Sequence, residues 1–149
     1  MLVMKLATRF VAPLAALIGF GTSAATAADF TATPDISGGF GSYRWDIAIG
    51  AAAAVGNPNL LLLKGQTYTF DINTTAIHPF WIKTTPSTGS LNAYAGGGLS
   101  ANGVGTATTI TFVVPTDAPD TLYYNCGNHR EMTGTITLIL DPVFANGFE

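Results

Sequence analysis

The chain is predicted to fold as an all-β protein, a Greek-key β-sandwich of about seven short strands. Three observations predict it. No long stretch keeps an apolar period of 3.6, whereas several segments alternate apolar and polar residues at period 2. Pro58, Pro79, Pro86, Pro115 and Pro119 interrupt the pattern and keep the strands short. The 149 residues suit one domain and fall short of a (β/α)₈ barrel, which needs roughly 200 or more.

Residues 1–28 read as an address. Lys5 and Arg9 open the chain, an apolar stretch runs from Phe10 to Gly21, and Ala25-Thr26-Ala27 has the small-residue pattern of a cleavage site. That is the layout of a secretory signal peptide, and the stretch is shorter than the roughly 20 residues of a spanning helix. The expected product is a periplasmic or secreted domain over residues 29–140 with a short tail over 141–149 and no membrane span. Losing Lys5 and Arg9 leaves 4 Lys+Arg against 9 Asp+Glu, a net charge of −5. So few basic residues give no electrostatic footprint for nucleic acid.

Along the domain, Ala51–Val55 is the best helix-like run, and Gly50, Gly56 and Pro58 bracket it. Leu60 to Leu63 is a continuous apolar run, expected as a strand buried on both faces. Gly65-Gln66 marks a turn. Thr67 to Ile72 alternates, with Tyr68, Phe70 and Ile72 on one face. In Ile77 to Lys83, His78, Phe80 and Ile82 share a face. Residues 84–105, rich in glycine, are expected as a long surface loop. Ile110, Phe112 and Val114 share a face of the next strand, and Leu122, Tyr124 and Cys126 do so in Thr121 to Cys126. Thr135 to Leu140 places Ile136, Leu138 and Leu140 together.

The chemistry concentrates in Tyr123-Tyr124-Asn125-Cys126-Gly127-Asn128-His129-Arg130-Glu131-Met132. It holds the single cysteine, one of the two histidines, and the one methionine that follows the leader. Cys126, His129 and Met132 stand at Cys-x₂-His-x₂-Met spacing. His78 is the other histidine. A free thiol in an oxidising compartment needs burial or occupation. By strand parity His78 and Cys126 point to the apolar side of their strands, near strand ends. A short loop then brings His129 and Met132 toward them. Two imidazoles, a thiolate and a weak thioether form the donor set of a blue-copper electron-transfer site. Closed zinc sites use four Cys and His residues, and this chain has three. Calcium and magnesium take clustered carboxylates, and the nine acids here are scattered.

At these residues the sequence resembles the cupredoxin family of small blue copper proteins, over roughly Asn57 to Leu140. Asn57-Pro58-Asn59-Leu60 through Thr67-Tyr68-Thr69-Phe70 looks like the paired strands that precede the first ligand in that family. His78 matches the first histidine. Cys126, His129 and Met132 match the ligand loop in the compact spacing of amicyanin-like members. The resemblance implies one Cu(I)/Cu(II) ion, a short bond to the Cys126 thiolate and a long axial one to Met132. It implies that His129 lies near the surface and passes electrons to redox partner proteins. Two places depart from the family pattern. Pro79 stands where many members have an asparagine that braces the loop, and Arg130-Glu131 stands where many have proline. Asn73, Asn125 and Asn128 are the candidates for that brace. Phe80 and Tyr124 have the parity to wall the site, and Trp81 and Tyr123 point away.

The expected function is an exported one-electron carrier rather than an enzyme. A copper-handling protein with the same ligands is the alternative, as is an open copper site with catalytic activity. Cysteine hydrolysis has no evident third group to orient a Cys126–His129 pair.

Overall fold

A computed structural model describes residues 28–140. The signal peptide expected over 1–28 lies outside the described residues except for Ala28, and the 141–149 tail lies wholly outside. Nine strands and no helix are present among the described residues. β1 (Phe30–Asp35), β2 (Arg44–Ile49), β3 (Val55–Gly56), β5 (Thr67–Ile72) and β7 (Thr108–Val113) form one sheet in the order β3-β2-β1-β5-β7. β4 (Leu60–Lys64), β6 (Phe80–Lys83), β8 (Thr121–Cys126) and β9 (Thr133–Leu140) form the other in the order β4-β9-β8-β6.

The all-β sandwich stands, with more strands than expected. β1, β2 and the short β3 are the additions, and Trp45, Ile47 and Ile49 carry a period-2 signal in β2. Both sheets are mixed, because β1 pairs parallel with β5 and β4 parallel with β9. Period-2 alternation is the same for either direction, so it cannot report these pairings. β4 and β5 lie in different sheets, so the residues that resemble a strand pair are two strands joined across the sandwich at Gly65. Gly65 takes φ +83°, which favours glycine, and its N–H donates to Val114 O at 2.8 Å.

β4 corrects a second expectation. Leu60 and Leu62 are buried but Leu61 is exposed, because β4 is an edge strand with one face on solvent. Leu140, grouped with Ile136 and Leu138 by parity, is exposed where β9 outruns the core. The Ala51–Val55 run forms a turn and the short β3.

The core fills the space between the sheets with Trp45, Ile47, Phe70, Ile72, Phe80, Ile82, Ile110, Phe112, Leu122, Tyr124, Ile136 and Leu138. Phe80 is its hub, with Trp45 edge-on at 5.0 Å and Tyr124 stacked at 6.0 Å. Truncating such a residue to alanine costs about 3–5 kcal/mol. Residues 84–105 are irregular, as expected, yet they pack as an outer wall. Tyr94 is buried, and Asn102 accepts from Ile82 N–H and donates to Ile82 O, both at 2.8 Å.

Candidate metal centre

The antiparallel register of β6 and β8 puts Phe80 opposite Cys126. His78, two residues before Phe80, therefore overhangs the end of β8. It lies in the turn ahead of β6, just outside the strand. That turn is closed by His78 N–H to Thr75 O at 2.9 Å and by Thr74 Oγ1 to His78 O at 2.5 Å. The six residues joining β8 to β9 carry His129 and Met132. They fold back so that Cys126 N–H donates to Met132 O at 2.9 Å.

Cys126 Sγ lies 3.6 Å from His129 Nδ1 and 3.9 Å from His78 Nδ1, and the three donor atoms lie within 4.8 Å of one another. A metal bonded at about 2.3 Å to sulfur and about 2.0 Å to imidazole nitrogen, with open angles, spans S···N distances of about 3.5–3.9 Å. The spacing fits one ion. Cys126 and Met132 are fully buried and His78 is nearly so, while His129 is half-buried and the most open of the four. Asn128 N–H points at the sulfur from 3.4 Å.

Burial pushes the Cys126 thiol up from its ordinary value, the largest influence on it. Burial, and then the neighbouring His129, push His78 down. The first holds a proton on sulfur and the second keeps an imidazole lone pair free. Metal capture must therefore release the thiol proton.

The loop is tied at each turn of its path. Asn128 Nδ2 donates to Ile77 O at 2.8 Å, which joins the ligand loop to the His78 turn. Asn125 Nδ2 donates to Met132 O at 3.3 Å from a buried position. Asn73 instead reaches Thr33 Oγ1. Asn128 and Asn125 are thus the braces, and Asn73 is not. Gly127 N–H donates to Pro79 O at 2.9 Å. A side chain at Gly127 would come within 2.8 Å of Trp81 Nε1 and 2.9 Å of Pro79 Cγ, so glycine is required there. Phe80 and Tyr124 lie beneath the site in the core, and Trp81 and Tyr123 are half-buried on the other face of the sheet.

Three residues escaped the sequence reading. Tyr43 sits edge-on to both imidazoles, with ring centroids 5.0 Å from His129 and 5.9 Å from His78. Phe40 reaches His129 edge-on at 6.2 Å. Both come from the β1–β2 loop, more than 30 residues ahead of the first ligand, and no local pattern links them to it. Asn57 is the third. Its Oδ1 accepts from Trp45 N–H at 2.8 Å, and its Nδ2 donates to Glu131 O at 2.9 Å. Its φ is +44°, uncommon outside glycine and asparagine, and the Asn57-Pro58-Asn59 run was the available signal in the sequence.

No protein-family model matches the chain, and no curated protein matches it. Solved structures do. A rusticyanin variant is similar at 20% identity and a TM-score of 0.46, covering 73% of this chain and 75% of that one. A purple cupredoxin from Nitrosopumilus maritimus is similar at 18% identity and a TM-score of 0.36, covering 61% and 86%. A multicopper oxidase variant from Aquifex aeolicus is similar at 20% identity and a TM-score of 0.39, and there this chain covers 80% of itself but 27% of the oxidase.

Proposed function

We propose that this protein is an exported, mononuclear copper protein that carries one electron at a time between redox partner proteins. One observation carries the reading. A buried thiol stands 3.6 and 3.9 Å from the Nδ1 atoms of two imidazoles, at the end of a β-sandwich. His78, Cys126 and His129 would hold the ion, with Met132 as the weak fourth donor. Copper in such a set alternates between Cu(I) and Cu(II), the thiolate and thioether suiting the first and the imidazoles both.

The chain's own part is to keep those donors still. The braces at Asn57, Asn125 and Asn128 hold the loop in one shape, which keeps the rearrangement on electron transfer small. His129 is the most open donor, the exposed Phe40 lies edge-on to it, and the exposed Ile77 precedes His78 and is tied by its carbonyl to Asn128. That apolar rim supports His129 as the place where a partner docks and the electron passes. The layout of residues 1–28 supports export, and no helix among the described residues is long and apolar enough to cross a membrane.

Visible and electron-paramagnetic-resonance spectra of the purified domain with Cu(II) test the reading. An intense thiolate band that bleaches reversibly with ascorbate is expected, and Cys126→Ser is expected to abolish it while the sandwich persists. A colourless protein that takes up only Cu(I) would favour copper handling. Catalytic turnover of a small substrate at the loaded site would favour an enzyme. The same band in the serine variant would exclude thiolate ligation.

A further inference from the structure

Lys83 is fully buried, although its parity in β6 sends it away from the core, to the outer face of the second sheet. Residues 84–92 fold back over it, with Thr84 N–H donating to Asn92 O at 2.9 Å. The ammonium has three protons, and three oxygens receive them. They are Ser87 O at 2.6 Å, Gly89 O at 2.7 Å and Ser87 Oγ at 3.2 Å. The Trp81 ring lies 5.7 Å from the same nitrogen. A buried ammonium costs several kcal/mol unless its hydrogen bonds are complete, and a plain loop closure needs no charge at all.

The two residues that the ammonium grips are the two that reach the metal-ligand loop. Ser87 gives its carbonyl to Lys83 and its N–H to Asn125 Oδ1, at 2.9 Å. Gly89 gives its carbonyl to Lys83 and its N–H to Gly127 O, at 2.7 Å. Asn125 and Gly127 are the neighbours of Cys126 on either side. Asn125 also passes the connection on to Met132 O. Gly89 has φ +59°, a conformation that lets one short segment present both peptides in these directions.

We propose that Lys83 is a positioning residue for the Cys126 centre, an internal cationic staple that fixes the Asn125 side chain and the Gly127 peptide, one on each side of the thiolate ligand. The proposal rests on the copper reading for its redox consequence, and not for its structural one. Removing Lys83 leaves the Ser87 and Gly89 carbonyls without their donor, frees the 84–92 segment and loosens the Asn125–Gly127 stretch. It also removes a buried positive charge, which favours the less positive, reduced state of a nearby metal. The reduction potential therefore falls.

The test compares wild type with Lys83→Met, and with Lys83→Gln as the variant that keeps a neutral amide donor. Amide hydrogen exchange in the copper-free proteins is expected to quicken by about tenfold or more at Ser87, Gly89 and Gly127, with Ile110, Phe112 and Leu138 unchanged. Voltammetry of the copper-loaded variants is expected to show a lower potential, with Lys83→Gln between Lys83→Met and wild type. Unchanged exchange at Gly127 overturns the proposal, and so does faster exchange with an unmoved potential. A wild type that takes no copper defeats the copper reading alone, and Gly127 exchange then decides for Lys83. If neither variant folds, the wild type decides. Ser87 and Gly89 amides as slow as those of β8 support the staple, and amides as fast as Thr88 overturn it.

Discussion

Asn57 donates its side-chain amide to the carbonyl of Glu131, at 2.9 Å and across 74 residues of chain. The same side chain accepts from Trp45 N–H, and the Asn57 N–H donates to Trp45 O at 2.7 Å. One residue thus pins the ligand loop to the first sheet while that loop's own strands belong to the second. The candidate metal site lies where the two sheets are bridged at their shared end.

Asn57→Asp keeps the acceptor for Trp45 N–H and tolerates the positive φ, but puts a carboxylate oxygen against the Glu131 carbonyl. A loss of about 1–3 kcal/mol is expected by denaturant unfolding of the metal-free protein. A stability within error of wild type would mean that the Glu131 contact contributes nothing.

Tyr43→Ala removes a ring that packs against both imidazoles. Copper affinity is expected to fall by about 10-fold, the lower end of the effects seen when support around ligands is lost. Competition titration with a Cu(I) chelator measures it. The sandwich should persist, because Tyr43 is only partly buried at the core's margin.

Met132→Leu keeps the volume of a fully buried residue and removes its sulfur. If Met132 is the weak fourth donor, copper should remain bound and the reduction potential should rise, because the more highly charged Cu(II) loses more than Cu(I) when any donor is taken away. Voltammetry beside wild type checks both. An unmoved potential would show that Met132 is not an axial ligand.

His78 is held below its ordinary value by burial and then by His129, so the unfolded chain binds a proton there more readily than the folded one. Stability from this group is complete above pH 6.5 and is lost as pH falls through the lowered folded value. The Cys126 thiol is raised, mainly by burial, so its contribution is complete below pH 9 and is lost as pH rises beyond that. Thermal unfolding of the metal-free protein should therefore weaken on both sides of neutrality. The acid side should flatten in His78→Gln, and an identical acid profile in that variant would remove His78 as its source.

Scarcity made the candidate donors legible. A chain with one cysteine, two histidines and a single methionine past residue 28 leaves few ways to assemble a soft site, and side-chain chemistry alone selects among metals. Period-2 parity also placed Phe80, Tyr124 and Cys126 on the buried side, because a strand's alternation is a local property. The supports are not local. Tyr43 meets His129 through the β1–β2 loop, Asn57 meets Glu131 through the bridging of two sheets, and Lys83 is buried by the segment that follows it. Each depends on strand order and register, which alternation does not encode. Residue chemistry and alternation alone specify which atoms can bind a metal and which faces are apolar. The tertiary structure decided what holds those atoms in place, because contacts across tens of residues exist only once both sheets have closed on one core.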